Sequence, residues 1–286
     1  MLFQSYREVM IMNLRCVGSV LLLTVITSTN LFAQLWTASG SGSYPGNPGT
    51  PGSDAIALTS SSIVEWASGV QQYTLGSPSV SGTDSAGSPY ITGSNCLGYP
   101  AGSGPNGANS SVHVTNLGEN GSIVLTFPEP IVANGVGDEF AVFSNGLTNG
   151  YCKLGQVSVS NNDVNWYEEP NYSYTSGTLT TYAATTILTN IEGYCGKYEA
   201  GYGEPFSIDY PGFPSTVNYV KIQDVQGTGS VLDSAGNPIY GNVPNDDGAN
   251  VVGVGVMNAA PEPGTLALLG AAAFVGLVAR RRRRQI

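Results

Sequence analysis

The stretch Asn120-Gly121-Ser122-Ile123-Val124-Leu125-Thr126-Phe127 decides the fold class. Asn-Gly supplies the positive-φ residues of a tight hairpin turn, and the run behind it reads with a period of two rather than 3.6. Tyr219-Val220-Lys221-Ile222-Gln223 repeats the pattern, with Lys221 on the polar side. Working outward, strand-like runs fall at residues 63–66, 139–143, 156–160, 178–188, 206–208, 217–223 and 251–256, and Asn145-Gly146 marks another turn. Between Gly52 and Ala260 no stretch carries the apolar repeat of an ordinary amphipathic helix. Many short strands without intervening helices predict an all-β domain over residues 53–258, an antiparallel, jelly-roll-like β-sandwich.

Composition agrees. Only 10% of the 286 residues are charged, while Gly (38) and Pro (17) are abundant, as in a turn-rich extracytoplasmic protein. All seven arginines lie near the ends, at Arg7, Arg15 and Arg280 to Arg284. Between Gln34 and Ala260, three lysines stand against 18 acidic residues, a net charge of −15. Such a field repels phosphate backbones and anionic lipid surfaces, which excludes nucleic acid as a partner, and it attracts Ca²⁺.

The first 33 residues read as an export signal. Arg7 and Arg15 precede the apolar run Val17 to Ile26, and small or neutral residues lead to a cleavage position after Ala33. Met10 and Met12 are alternative starts, and Cys16 lies too early in the run for a lipidated cysteine. Residues 34–52 hold a Gly/Pro/Ser sequence without apolar periodicity, expected to be a flexible linker. Residues 76–109 are also Gly/Ser/Pro-rich, but Tyr90, Ile91, Cys96 and Tyr99 predict an ordered loop.

The C-terminus runs Pro261-Glu262-Pro263-Gly264, then uncharged from Thr265 to Ala279, then Arg280, Arg281, Arg282, Arg283 and Arg284. Pro263 suits a helix start. A helix over residues 265–279 would span roughly 22 Å, short of a hydrocarbon core of about 30 Å, a gap closed by arginine snorkelling and bilayer thinning. The arginines then stay cytoplasmic and the body lies outside. This order closely resembles the PEP-CTERM sorting signal of Gram-negative bacteria, over residues 261–284. The resemblance implies recognition by exosortase, a membrane transpeptidase, and cutting near Pro261 to Pro263. It implies transient anchoring in the inner membrane facing the periplasm, then transfer to the cell surface or extracellular matrix, where such proteins accompany exopolysaccharide. Pro261, Glu262, Pro263 and the five arginines are then recognition elements rather than catalytic groups.

A second resemblance covers residues 116–256. Leu117 to Phe127, Gly137 to Asn145, Val157 to Trp166 and Tyr219 to Asp224 look like a recurrent surface domain of exported bacterial proteins. Ser160 to Trp166 resembles the Ser-x-Asp-Gly-x-x-Trp pattern of discoidin-like and galactose-binding-like sandwiches, departing from it by an offset and by lacking the glycine. Trp166 is expected to anchor the sandwich core, with a sugar-stacking platform as the alternative.

The candidates for chemistry are few. His113 is the single histidine, which removes His-cluster zinc sites, and neither Ser110 nor Ser111 lies in a Gly-x-Ser-x-Gly elbow. After signal removal Cys96, Cys152 and Cys195 remain; an oxidising compartment favours a disulfide, and the similar Tyr-Cys contexts single out Cys152 with Cys195. That bond would add about 3–4 kcal/mol by loop closure. Asp138-Glu139, Asp224 and Asp246-Asp247 lie near strand ends, where loops offer oxygens to calcium, with a plain turn the better reading of Asp246-Asp247. Tyr172, Tyr174, Tyr182, Tyr194, Tyr198, Tyr202 and Tyr210 could line a carbohydrate surface or simply pack on strand faces.

Two function classes follow. The first is a non-enzymatic exported surface or matrix protein that binds polysaccharide, with structural calcium and no other cofactor. The second is a carbohydrate-active lyase or hydrolase on a jelly-roll scaffold, weakened by the scarcity of cations that a groove for anionic glycans would need.

Overall fold

The computed structural model describes residues 44–101, 113–146, 149–150, 152–177, 185–241 and 247–260. In chain order the first strands are β1 (Ile56–Ala57), β2 (Glu65–Trp66), β3 (Gly69–Thr74), β4 (Thr115–Asn116), β5 (Ser122–Val132), β6 (Phe140–Ser144), β7 (Gly155–Ser160) and β8 (Tyr167–Glu168). Then come β9 (Tyr172–Ser173), β10 (Ile191–Glu192), β11 (Tyr194–Cys195), β12 (Tyr202–Phe206), β13 (Thr216–Asp224), β14 (Thr228–Leu232), β15 (Pro238–Tyr240) and β16 (Asn250–Val256). One six-stranded sheet has the order β1-β12-β6-β16-β2, with β4 beside β16; the other has β11-β7-β13-β5-β3, with β8 beside β7. All these pairings are antiparallel. From β5 to β7 and from β11 to β13 the chain alternates between the sheets, as a jelly-roll-like sandwich requires.

Side-chain parity explains the packing. Ile123, Leu125, Val157, Val159, Val220 and Ile222 of one sheet meet Phe140, Val142, Phe206, Val254 and Val256 of the other in the main apolar core. The intervening Ala141, Phe143 and Val252 face outward, beneath Leu58, Ile63, Trp66 and Tyr90. Hence β6 is buried on both faces and reads as a continuous apolar run. β5 extends past the expected Phe127 to Val132 through Pro128 and Pro130. Its register with β13 jumps there, from Thr126↔Tyr219 to Ile131↔Val217, so the prolines withdraw no ladder donor.

Other expectations need correction. The run at 206–208 ends a strand rather than forming one, because β12 begins at Tyr202 with glycine and glutamate positions. The described part of the 178–188 run is a 3-10 turn, Thr185–Asn190, where consecutive threonines precede Asn190. The linker is ordered from Tyr44 onward: the Tyr44 ring stacks between Tyr172 and Tyr174, at 6.0 and 5.9 Å, and its N–H donates to Thr189 O at 3.2 Å. The expected signal peptide and transmembrane helix lie outside the described residues.

The two ends of the sandwich differ. At one, Gly76, Gly118, Gly121 and Gly248 touch backbone to backbone. Asp224 braces them, accepting the N–H of Asn120 at 2.9 Å and of Ala249 at 2.7 Å. At the other lie the turns 133–139, 161–165 and 207–215 and the exit of β16. Gly248 has φ +88°, and a Cβ there would run into the Gly118 backbone. Gly248→Ala is therefore expected to destabilise by about 2–4 kcal/mol, from left-handed strain plus overpacking, read as a shifted midpoint in chemical denaturation.

Candidate functional site

The corner where the chain crosses from β11 to β12 holds the most unusual chemistry. Glu204 lies two residues before the core residue Phe206 on the same face of β12, so its carboxylate points between the sheets. Lys197, in the crossing turn, is fully buried; it contacts the Glu192 carboxylate and lies 3.4 Å from Glu204 Oε2. Glu204 Oε1 also accepts the Gly193 N–H at 2.8 Å. The Lys197 ammonium sits 4.8 Å from the centroid of the Tyr198 ring, and the Tyr198 hydroxyl donates to Asp54. Burial raises the Glu192 carboxyl to about 7 despite Lys197, and pushes Glu204 well above the usual carboxylate range. Burial alone would lower Lys197, but Glu204 and Glu192 outweigh it and hold the ammonium charged. This is an internal ion cluster that closes the sandwich edge.

A second acidic group ties the opposite end together. Glu139 is buried, and its carboxylate accepts the N–H of Ile208 at 2.8 Å and of Asn134 at 3.4 Å. It joins the 133–139 turn to the 207–215 turn, and burial raises it to about 7. Glu169 is 1% exposed, with Oε1 unpartnered among the described residues; burial, then Glu139 and Asp138, push its carboxyl well upward. Sequence reasoning took Glu139 only as a neighbour of Asp138 in a calcium loop and passed over Glu169, Glu192, Lys197 and Glu204; the one available signal was the parity of Glu204 with Phe206.

The expected calcium ligands are not brought together. Asp138 is exposed in the turn before β6, Asp224 is consumed by two backbone N–H groups, and Asp247 pairs with Lys153. Asp246 lies outside the described residues, and among those described no three Asp, Glu, His or Cys side chains converge as metal ligands. Cys96, Cys152 and Cys195 are free and buried. The expected Cys152–Cys195 bond is absent because the two face opposite sides of one sheet. Cys195 pairs with Gly155 and joins the main core, whereas Cys152 packs with Leu154 and Tyr194 on the other side. Burial pushes the Cys96 and Cys152 thiols up, to about 11 and about 12.

His113 is 55% exposed, with Nδ1 3.3 Å from Asp84 Oδ2. That oxygen also accepts the Val114 N–H at 3.0 Å, and Oδ1 accepts those of Ala86 and Ser88, so Asp84 organises a loop. Trp166 is not in the core; it is half-buried, with the Lys221 ammonium 4.6 Å from its ring centroid. Tyr194 and Tyr198 are buried, which removes them from any carbohydrate platform; Tyr182 lies outside the described residues. At the glycine end Ser144, Asn145, Gly146, Lys153, Gly196 and Asn250, most of them buried, surround a gap too narrow to hold a water molecule. Asn145 Oδ1 is buried there without a partner among the described residues.

These features define a β-sandwich in which buried carboxylates tie turns and sheets together at both ends. What carries it outward is in the tail: residues 259–284 match the PEP-CTERM protein-sorting motif. The match supports an exosortase-sorted exported protein, processed at the membrane and directed to the surface. It begins after residue 256, so the resemblance of residues 116–256 to discoidin-like domains gains nothing from it. No curated protein matches the chain.

Proposed function

We propose that this protein is a non-enzymatic display module, sorted through its C-terminus and retained in exopolysaccharide by its sandwich. The observation that carries the reading is the opposition of the two ends. The sorting motif leaves from the exit of β16, while Asn145 and Asn250 lie at the far ends of β6 and β16. A body tethered by its tail therefore turns that end away from the membrane. Both asparagines are partly exposed there, and their amides suit the hydroxyls of a neutral sugar. The gap between them is too narrow for water, so a glycan would lie across the surface rather than enter as an enclosed substrate.

Fractionation with intact-mass measurement tests this. With exosortase present, a shortened form is expected in the polysaccharide-bearing surface fraction, and enzymatic removal of the polysaccharide should release it. Without exosortase the uncut form should stay in the membrane. A processed form that remains on the surface after complete polysaccharide removal would refute retention by glycan, and glycan turnover by the purified protein would refute the non-enzymatic reading.

A further inference from the structure

The sorting motif begins at residue 259, and Ala259 still belongs to the sandwich, bridging Ile131. The Val132 N–H donates to Asn258 O at 3.0 Å, and the Ala260 N–H donates to Pro130 O at 2.9 Å. The Met257 and Asn258 N–H groups both donate to Glu139 O, at 2.7 and 3.2 Å. Residues 257–260 are thus a strap laid along the far half of β5. Pro261 follows at once. At roughly 3.3–3.6 Å per residue, the whole Pro261-Glu262-Pro263 triplet lies within about 11 Å of Ala260. An enzyme that takes this triplet must come up against the same end of the sandwich.

That end holds the two most exposed large apolar side chains of the described residues, Val136 at 79% and Val164 at 76%. Neither is on a loose loop. The Val136 N–H donates to Asn134 Oδ1 at 2.7 Å and the Val164 N–H to Asn162 Oδ1 at 3.0 Å, so Asx turns hold both valines outward. The neighbouring 207–215 turn is fixed by Tyr167 against Phe213, at 5.5 Å between rings, and by Glu139. Asp138 and Asp163 lie within two residues of the valines, which disfavours an anionic lipid surface as the occupant and favours a protein face.

We propose that this end is the docking surface for the sorting transpeptidase, with Val136 and Val164 as apolar contacts and the strap fixing where the chain leaves the sandwich beside them. The proposal rests on the sorting reading above. It is tested with the full chain co-produced with exosortase, following the cut form by intact mass over time. The double variant Val136→Asp/Val164→Asp, with an unchanged melting temperature, is expected to be cut about fivefold more slowly or worse. A flexible Gly/Ser insert of about ten residues between Ala260 and Pro261 should abolish that difference, because the enzyme no longer meets the sandwich. If the unaltered chain is not cut, the sorting reading falls. If it is cut and the double variant keeps pace, or lags equally with the insert, the docking surface is overturned while sorting stands.

Discussion

At pH 8, above the titration of Glu192, Lys197→Met is expected to destabilise the sandwich by about 3–5 kcal/mol, enough to lower its melting temperature by roughly 10 °C. Lys197 has no exposed surface, and the carboxyls beside it, Glu192 and Glu204, are 5% and 2% exposed. Methionine fills the volume of the stem but supplies no charge. Both carboxyls must then be held neutral, or charged without a cation, where water cannot reach them. The asymmetry between breaking a buried ion cluster and replacing it gives the control. Converting Glu192 and Glu204 to methionine as well should recover most of the loss, because an apolar cluster of similar volume needs no compensation. Guanidinium melts of the single and triple variants check this, and a single variant within 1 kcal/mol of the parent would show that the cluster contributes nothing.

How much of this was legible in the sequence depended on whether a feature is local. The runs read at 217–223 and 251–256 became Thr216–Asp224 and Asn250–Val256, because apolar side chains facing one core repeat within a single strand. β3 was missed because Gly-Val-Gln-Gln-Tyr-Thr is an edge strand with two exposed glutamines in its middle. The ion cluster was invisible for another reason. Glu192, Lys197 and Glu204 come from a two-residue strand, a turn and a strand of the other sheet, and only the crossing between sheets brings them together. The cysteine pairing failed on the same ground: deciding which face Cys195 shares requires knowing that it lies opposite Gly155. Chain order carries no trace of that register. The tail was legible throughout, since a sorting signal is read as linear sequence and owes nothing to packing.

Raising the pH from 5 to 8 is expected to lower the melting temperature by about 5–10 °C. Glu192 faces Lys197 and Asp54; Glu204 faces Lys197, Glu192, Asp54 and the Gly193 N–H. Burial raises Glu192 from 4.5 to about 7 and lifts Glu204 well above 4.5, so the folded state holds protons that the unfolded chain releases near 4.5. More protons bound in the native state means that stability falls with rising pH. The contribution is complete below about 4.5 and is lost as the pH passes 7; a shift of the Glu192 size is worth on the order of 3 kcal/mol. The acidic surplus of the whole domain adds self-repulsion in the same direction. Asp84 works oppositely. Val114 and Ser88 N–H groups and His113 hold its carboxyl below the usual range, so its contribution vanishes only as the pH falls below about 4. The two effects together place maximal stability near pH 5, on the acid side of where most domains have it. Glu192→Gln should reduce the slope between pH 5 and 8, which Glu204, Glu139 and Glu169 also feed, while leaving the acid limb unchanged. A melting temperature that is level or rising across that interval would mean the buried glutamates are ionised in the folded protein.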